Sequence, residues 1–187
     1  MRQRIMTAAR EAMEQHGVKF TMHDLARQLG VSKRSLYEHF ASKEALIGAI
    51  VDEHLNEIRR ARREVVSNPH LSFVEKLRQS LFIVPQVCTA TKGRVASDIK
   101  RFMPQEKEKI DRFFDEEWMT LEAMLKEGID QGEFRPVYLP ILQRMIRGTM
   151  EEIIEYPFLT EHNISLKEAT DCIGDILMNG VLCAGKE

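Results

Sequence analysis

Apolar residues recur at intervals of three and four along most of the chain, with polar and charged residues between them. This spacing is typical of amphipathic helices, and no stretch alternates with a period of two for long enough to form a sheet. After residue 42 the apolar stripes predict helices at about 43–66, 71–90, 93–103, 105–131, 139–158 and 165–184. Pro85 predicts a kink in the helix at 71–90, because proline removes a backbone donor. The pattern predicts an all-α protein of about nine helices.

Candidate helix-capping residues occur at three positions in the N-terminal region. Thr21, Ser32 and Ser42 are each good N-caps, since a side-chain hydroxyl can accept a bond from an unpaired backbone N–H of the first turn. Gly30 stands where the first of these helices should end, because glycine tolerates the left-handed conformation of a C-terminal turn. The order of cap, helix, glycine, cap and helix predicts a helix-turn-helix at 21–40.

The second helix of this motif has an apolar face and a polar face. Leu36 and Phe40 lie four residues apart and are expected to pack inward. Lysine and arginine neutralise phosphates or donate to guanine, and hydroxyls bind phosphate oxygens. A Lys–Arg pair is usually an ordinary solvated surface, but Lys33 and Arg34 open a helix directly after a glycine turn, which favours DNA binding. The predicted DNA-binding residues are Thr21, Ser32, Lys33, Arg34, Ser35, Tyr37, His39 and Lys43.

Residues 2–46 resemble the DNA-binding domain of the TetR family of bacterial transcriptional regulators. The matching residues are Arg4-Ile5, Ala8-Ala9, Gly17, Thr21, Asp24-Leu25-Ala26, Gly30-Val31-Ser32-Lys33, Leu36-Tyr37, Phe40 and Ser42-Lys43-Glu44-Ala45-Leu46. The chain departs from the family pattern at position 34, which is Arg where a small residue is frequent, and at position 39, which is His where an aromatic is frequent. The operator sequence therefore does not follow from the resemblance.

The resemblance implies a two-domain regulator. Its expected parts are a three-helix helix-turn-helix domain at 1–47 and a C-terminal helical domain at 48–187 for effector binding and dimerisation. The implied function is that of a homodimeric repressor that binds a (pseudo)palindromic double-stranded DNA operator and is released by a small-molecule effector. The alternative is a helix-turn-helix regulator controlled by a protein partner, or one that acts without a small ligand.

The last two predicted helices carry broad apolar stripes that suit a dimer interface. A single recognition helix reads too few base pairs to be specific, and a two-fold pair of helices reading two half-sites solves this problem. Core packing within the chain is the alternative, and it accounts for a good part of both stripes. In the TetR family the final two helices form a four-helix bundle across the dimer. The predicted interface residues are Met145, Thr149, Ile153, Cys172, Ile173, Ile176, Leu177 and Gly180.

Aromatic residues and methionines are concentrated in the middle of the C-terminal domain. A stripe of this kind is usually ordinary core, although the ten methionines of the chain suggest an adaptable interior. The family resemblance implies a small-molecule pocket in this region. The predicted pocket residues are Phe82, Val87, Phe102, Phe113, Phe114, Trp118 and Met119.

Composition and charge agree with a DNA-binding regulator. The net charge of −2 over 187 residues hides an asymmetry, because residues 1–50 hold eight Lys/Arg and five acids, which gives +3 there and −5 in the remainder. A basic head on an acidic body favours approach of the head to a polyanion. No apolar run approaches the ~20 residues of a membrane span, and we expect a cytoplasmic protein without a signal peptide. The three cysteines are expected to be structural thiols.

Enzymatic activity and a second DNA-binding patch are the two alternative roles to consider for this chain. The chain shows no glycine-rich phosphate loop, no Cys/His pair at metal-ligand spacing and no nucleophile with an evident base, so the sequence predicts neither an enzyme nor a metal or cofactor site. The arginines at 59, 60, 62 and 63 could form a second DNA-binding patch. A long helix carries them away from the helix-turn-helix, so a solvated or acid-paired face is the expected role.

Overall fold

The computed structural model describes residues 1–83, 93–155 and 158–181. Its helices are α1 Arg2–His16, α2 Met22–Leu29, α3 Lys33–His39, α4 Lys43–Ser67, α5 Phe73–Leu81, α6 Gly93–Phe102, α7 Pro104–Asp130, α8 Leu139–Glu155, α9 Phe158–Glu161 and α10 Leu166–Val181, with a 3-10 turn at Gly17–Lys19. The all-α fold is confirmed, since these ranges contain no strand. Pro85 and its expected kink lie outside the described residues. None of the described helices is long and apolar enough to cross a membrane.

The chain divides into two compact units. Unit 1 is Met1–Asn56 together with the described residues of 90–110, and unit 2 consists of the described residues of 57–89 and 111–187. The boundaries fall inside α4 and inside α7. These units do not coincide with the expected domains at 1–47 and 48–187. The expected boundary concerns functional domains, and it stays a prediction. The apolar pattern did not predict that a segment from the middle of the chain folds with the N-terminal helices.

Unit 1 is built on the small three-helix core of α1, α2 and α3. α2 packs against both of its neighbours, and α6 adds to the unit by packing on the 3-10 turn and on α1. The side chains that fill this core come from the apolar faces of these three helices and from the first turns of α4. They include Ile5, Met6, Ala9, Leu25, Ala26, Leu36, Phe40, Leu46 and Ile47, all buried.

Unit 2 is organised around one apolar cluster drawn from α5, α7, α8 and α10. Its buried members are Leu77, Leu81, Phe82, Trp118, Leu121, Met124, Leu125, Phe134, Leu139, Leu142, Met178 and Val181. α7 ends in a tight turn in which Gly132 adopts a positive φ of 71°. The turn brings the Phe134 ring back over Gly128, and the backbone N–H of Phe134 donates to the Gly128 carbonyl at 3.1 Å. Gly132 thus terminates α7.

Candidate nucleic-acid interface

The helix-turn-helix of unit 1 is fixed by the capping bonds that the sequence predicts. The Thr21 hydroxyl oxygen accepts from the Asp24 N–H at 3.1 Å and donates to the Asp24 carboxylate at 2.6 Å. This bond, with Arg27 as a smaller influence, holds the pKa of Asp24 below its ordinary value. Gly30 adopts the left-handed conformation, with φ 67°, and Val31 N–H donates to the carbonyl of Ala26 at 3.0 Å. These bonds set the angle at which the chain leaves α2.

The next helix begins at a second cap. The Ser32 side chain accepts from the Ser35 N–H at 3.1 Å, and α3 then runs from Lys33 to His39. Leu36 and Phe40 are buried against the core of unit 1, as their spacing predicts. α3 is therefore held from its inner side and by its cap, which leaves its outer side available to a partner.

The outer side of α3 is polar, cationic at its start and solvent-accessible. Lys33, Arg34 and His39 are exposed, and Tyr37 is 48% exposed. Arg34 Nε lies 3.4 Å from Glu38 on the same helix, with 89% of the arginine side chain in solvent. A surface pair of this kind is worth little, so a phosphate or base edge can take its place. The structure brings together the DNA-binding residues predicted on α3.

Two of the predicted DNA-binding hydroxyls, those of Thr21 and Ser32, have structural partners as well. Thr21 and Ser32 accept the capping bonds of α2 and α3, while Ser35 supplies the N–H that Ser32 binds. A serine hydroxyl that accepts such a bond keeps its own hydrogen as a donor, as at Ser32, whereas Thr21 donates its hydrogen to Asp24. Their expected phosphate contacts stay predictions.

Lys43 lies at the first position of α4 and is only half exposed. Its Nζ donates to the carbonyl of Val18 at 3.0 Å and to that of Phe20 at 3.3 Å. It also lies 5.7 Å from the centre of the Phe20 ring. The ammonium group therefore fastens α4 to the segment that precedes α2, a role that the sequence did not reveal.

A second tie to the same segment comes from α6. The Asp98 carboxylate accepts from the backbone N–H of Val18 at 3.0 Å. Lys19 lies 5.2 Å from the centre of the Phe102 ring. Asp98 therefore positions the turn before the helix-turn-helix.

The residues predicted for an effector pocket do not all come together. Phe82, Phe113 and Trp118 are buried in unit 2, and the half-buried Phe114 ring packs edge-on against Phe113 at 5.4 Å. Val87 lies outside the described residues.

Two members of the predicted pocket are found elsewhere. Phe102 belongs to unit 1, where its ring lies 5.2 Å from Lys19 Nζ, and it is 46% exposed. Met119 is 70% exposed, because one residue after the buried Trp118 the helix has turned outward by ~100°. Both side chains are therefore exposed in the part of the chain that the structure describes.

A buried polar cluster in unit 2 was missed by the sequence reasoning. Arg62 is only 5% exposed and forms an ion pair with Glu117, and its Nη2 donates to the carbonyl of Ser80 at 3.0 Å. Burial lowers the pKa of the Arg62 guanidinium, and the charge of Glu117 opposes that effect. The missed signal was spacing, since Arg62 continues the inner stripe of α4 after Leu55 and Ile58.

The expectation that the arginines of α4 pair with acids is confirmed for two of them. Arg59 Nη2 lies 2.7 Å from Glu116 and its Nε lies 3.6 Å from Glu117. Arg62 also pairs with Glu117. The Arg59 guanidinium lies 4.9 Å from the centre of the Phe113 ring.

The stripes of α8 and α10 divide between core and surface. Ile173 and Leu177 pack against the cluster of unit 2, which is the core role left open in the sequence. Met145 is 55% exposed and Ile176 is 67% exposed. The other residues of the predicted interface are exposed or half-buried, namely Thr149, Ile153, Cys172 and Gly180. An apolar strip on each helix thus faces away from the core of the chain.

Comparisons with known proteins agree with this geometry. The sequence model described as "Bacterial regulatory proteins, tetR family" matches residues 5–50. Across 97% of this chain and 95% of its own length, the HTH-type transcriptional regulator YvaF of Bacillus subtilis is 29% identical. The regulator UidR of Escherichia coli is 35% identical over 81 residues, which cover 43% of this chain and 40% of UidR.

Solved structures share the fold. The ketosteroid transcriptional regulator KstR2 of Mycobacterium tuberculosis superposes with a TM-score of 0.76 at 21% identity, covering 97% of this chain and 95% of KstR2. The regulator FadR of Bacillus subtilis, solved in complex with stearoyl-CoA, gives a TM-score of 0.72 at 19% identity, covering 95% of this chain and 98% of FadR.

The capped helix-turn-helix, its exposed cationic helix and the helical unit that follows define a DNA-binding transcriptional regulator. Residues 5–50 match the DNA-binding domain of the TetR family of bacterial regulators, and the whole chain is similar to regulators of this kind. Its relatives and structural neighbours are regulators, so this is a non-enzymatic protein, as the sequence predicts.

Proposed function

We propose that this regulator is a cytoplasmic homodimeric repressor that binds a (pseudo)palindromic operator and is released by a small-molecule effector. The observation that carries the proposal is the outer side of α3, where Lys33, Arg34, Tyr37 and His39 stand exposed on a helix of seven residues that is capped and packed from behind. Such a helix can enter the major groove with its leading end toward the base edges.

A dimer is proposed because the exposed part of α3 is short. Seven residues reach only a few base pairs, and a two-fold axis doubles the reading and requires a palindromic site. The outward strip of α8 and α10 supplies an apolar surface for this pairing. Gly148 and Gly180 support it, since a Cβ at either position would meet no atom within 4 Å in the described chain. Both glycines leave room for a helix of a second copy to approach.

Effector release is proposed as a linkage between two states of the dimer. A ligand that favours the state with wrongly spaced recognition helices by ~3 kcal/mol would weaken operator binding roughly 150-fold. α4 is a continuous helix from Lys43 to Ser67, so it starts beside the DNA-binding helices and ends in unit 2. The names of two neighbours, a ketosteroid regulator and a regulator in complex with stearoyl-CoA, support a small-molecule effector.

The test is a footprint on the DNA upstream of the gene for this protein. We expect the wild-type chain to protect a symmetric site, and Lys33→Ala and Arg34→Ala to lose protection while sedimenting as dimers. Arg63→Ala is the charge-matched control, because Arg63 is exposed on α4 in unit 2. Wild-type footprints from both α3 variants would contradict the assignment of this helix.

The second candidate is a regulator controlled by a protein partner or by no ligand at all. Thermal-shift screening separates the two, since a small molecule that binds the folded state raises the melting temperature by mass action. Stabilisation by a compound that also reduces the footprint supports effector release. A broad library of lipophilic compounds and metabolites without a single hit would favour the second candidate.

A further inference from the structure

Two buried polar groups in unit 2 have no hydrogen-bond partner among the described residues. They are the Nε of Arg62 and the hydroxyl of Ser80. Both side chains are more than nine-tenths buried, with Arg62 5% and Ser80 0% exposed. The two residues touch each other, because Arg62 Nη2 donates to the Ser80 carbonyl at 3.0 Å. The two unused donors therefore belong to neighbouring groups on α4 and α5.

Leaving these donors unpaired is costly. A buried donor without an acceptor costs about 1–3 kcal/mol, and most buried polar groups in native proteins are paired for that reason. A serine inside a helix ordinarily donates to the carbonyl one turn earlier, and Ser80 does not. Two such groups at one place indicate that something which is not part of the chain supplies an acceptor there.

The surroundings of the two donors are apolar on one side. Ser80 lies on α5 between Leu77 and Leu81, which are both in the core cluster of unit 2. Leu77 lies three residues before Ser80 and therefore shares its face of α5. An occupant that reaches the donors must therefore be largely apolar, with a small polar group at one end.

The charges around Arg62 decide the nature of that polar group. Glu117 accepts from Arg62 and also lies 3.6 Å from Arg59, whose Nη2 binds Glu116. Two arginines are thus matched by two carboxylates. A ligand anion placed at this point would be an uncompensated buried charge, whereas a neutral oxygen would accept from both donors without disturbing the balance.

We infer that Arg62 and Ser80 form the polar anchor of the effector site, and that the effector is an uncharged lipophilic molecule whose carbonyl oxygen accepts from Arg62 Nε–H and Ser80 Oγ–H. This inference rests on the proposed function for the existence of an effector, and it adds the chemical class. The apolar body of the effector lies against the α5 and α7 side chains of the core cluster.

The experiment measures the binding of three matched probe series to the full chain by titration calorimetry. The probes are linear and cyclic ketones, the carboxylates of the same carbon skeletons and the corresponding hydrocarbons. We expect ketones to bind at least about 10-fold more tightly than hydrocarbons and carboxylates, since one or two hydrogen bonds are gained only by the neutral acceptor.

Ser80→Ala is the decisive variant, because it removes a donor that has no partner in the chain. The variant should lower ketone affinity about 5- to 10-fold and leave hydrocarbon affinity unchanged. Its melting temperature without probe should equal or exceed that of Ser97→Ala, the matched control at an exposed position of α6. A lower melting temperature than the control would mean that a buried water already satisfies Ser80, which would overturn the inference.

A double variant tests the role of Arg62 without leaving the Glu117 carboxylate unpaired. Arg62→Met combined with Glu117→Gln removes both charges together and should abolish the preference for ketones over hydrocarbons. Preference for carboxylates in the wild type, equal loss of all probes in Ser80→Ala, or no binding by any probe would each overturn the inference.

The footprint distinguishes failure of the inferred ligand class from failure of the proposed repressor function. A wild-type footprint that no ketone reduces, with no ketone bound, rejects the ligand class and leaves the DNA-binding role standing. Absence of any footprint rejects the repressor, whatever the probes do.

Discussion

The Lys43 ammonium donates to the backbone carbonyl of Val18 at 3.0 Å, and so ties the first residue of α4 to the turn that precedes the helix-turn-helix. The same Nζ donates to Phe20 at 3.3 Å. An ammonium group has three donors, so one remains for another acceptor. The side chain that the sequence offered as a phosphate contact is therefore also part of the framework that carries α3.

Lys43→Ala should lower both the stability of unit 1 and operator affinity. Two buried or half-buried carbonyls lose their donor, which costs about 1–3 kcal/mol. If the third donor reaches a phosphate, the slope of log affinity against log salt should also fall by about one. Calorimetric unfolding and a salt series of binding isotherms measure the two effects. Lower stability with an unchanged slope would restrict Lys43 to the structural role.

Asp98→Ala should lower operator affinity, although Asp98 lies on α6, 80 positions away in sequence from Val18. The Val18 N–H loses an ionised acceptor at 3.0 Å, which is worth about 1.5–3 kcal/mol. Operator affinity should drop while dimerisation is unaffected. Asp98→Asn, which keeps an acceptor oxygen, should recover most of the loss. Equal damage from both substitutions would argue that charge and not this hydrogen bond is what matters.

Ile176→Glu should convert dimers to monomers. Ile176 is 67% exposed on the outward strip of α10, so its substitution leaves the core of the chain intact and places a charge in the proposed interface. Analytical ultracentrifugation gives the state, and circular dichroism should show unchanged helicity. Tyr138→Glu is the matched control, because Tyr138 is 73% exposed and lies outside the predicted interface. Dimers that persist in Ile176→Glu would count against this face.

Gly128→Ala should destabilise the chain, whereas Gly148→Ala should not. A Cβ at Gly128 would stand well inside 3.0 Å of the Phe134 ring and 2.9 Å from Phe73, in a packed core. Overpacking of this kind costs about 1–3 kcal/mol. Gly148 has open space around it in the described chain, so alanine there should gain about 0.5–1 kcal/mol of helix propensity in the monomer. Chemical denaturation in monomeric Ile176→Glu backgrounds measures both.

The start of α5 should make stability depend on pH in a defined direction. Glu75 accepts from the Ser72 hydroxyl at 2.7 Å and from its backbone N–H at 2.8 Å, and these bonds lower the pKa of Glu75 from its ordinary value of 4.5. The stabilisation is present above pH 4.5 and is lost as the pH falls through the lowered pKa. Glu75→Gln should therefore match the wild type at low pH and be less stable near neutrality. Ser72→Ala should reduce this pH dependence in the same way, and a pH-independent difference would contradict the account.

Local chemistry explains why the helix-turn-helix could be read from the sequence. Thr21, Gly30 and Ser32 act on backbone groups within three or four residues of themselves, so their roles depend little on the rest of the fold. The inward positions of Leu36 and Phe40 follow from the same short spacing. Helix periodicity likewise predicted the long stretches of unit 2, since amphipathic stripes are a property of each helix alone.

The contacts that the sequence did not reveal join residues far apart in the chain. Asp98 meets Val18 across 80 positions, and Arg62 meets Glu117 across 55. The sequence predicts a solvated or acid-paired face for the arginines of α4, because a charged residue on a helix is usually solvated. Whether Arg62 is buried depends on which helices pack over it. The local sequence indicates this burial only through the position of Arg62, which follows Leu55 and Ile58 on the apolar face of α4.

The discontinuity of unit 1 matters for anyone who recombines regulators. A chimera that grafts residues 1–56 onto the body of another protein would move α3 and its caps but leave Asp98 behind. In the chimera, the turn that contains Val18 would then pack on the corresponding helix of the recipient protein instead of on α6 of this chain. Transfer of DNA specificity by module exchange therefore requires that two separate segments of the gene be exchanged, so that α6 moves together with the helices it supports.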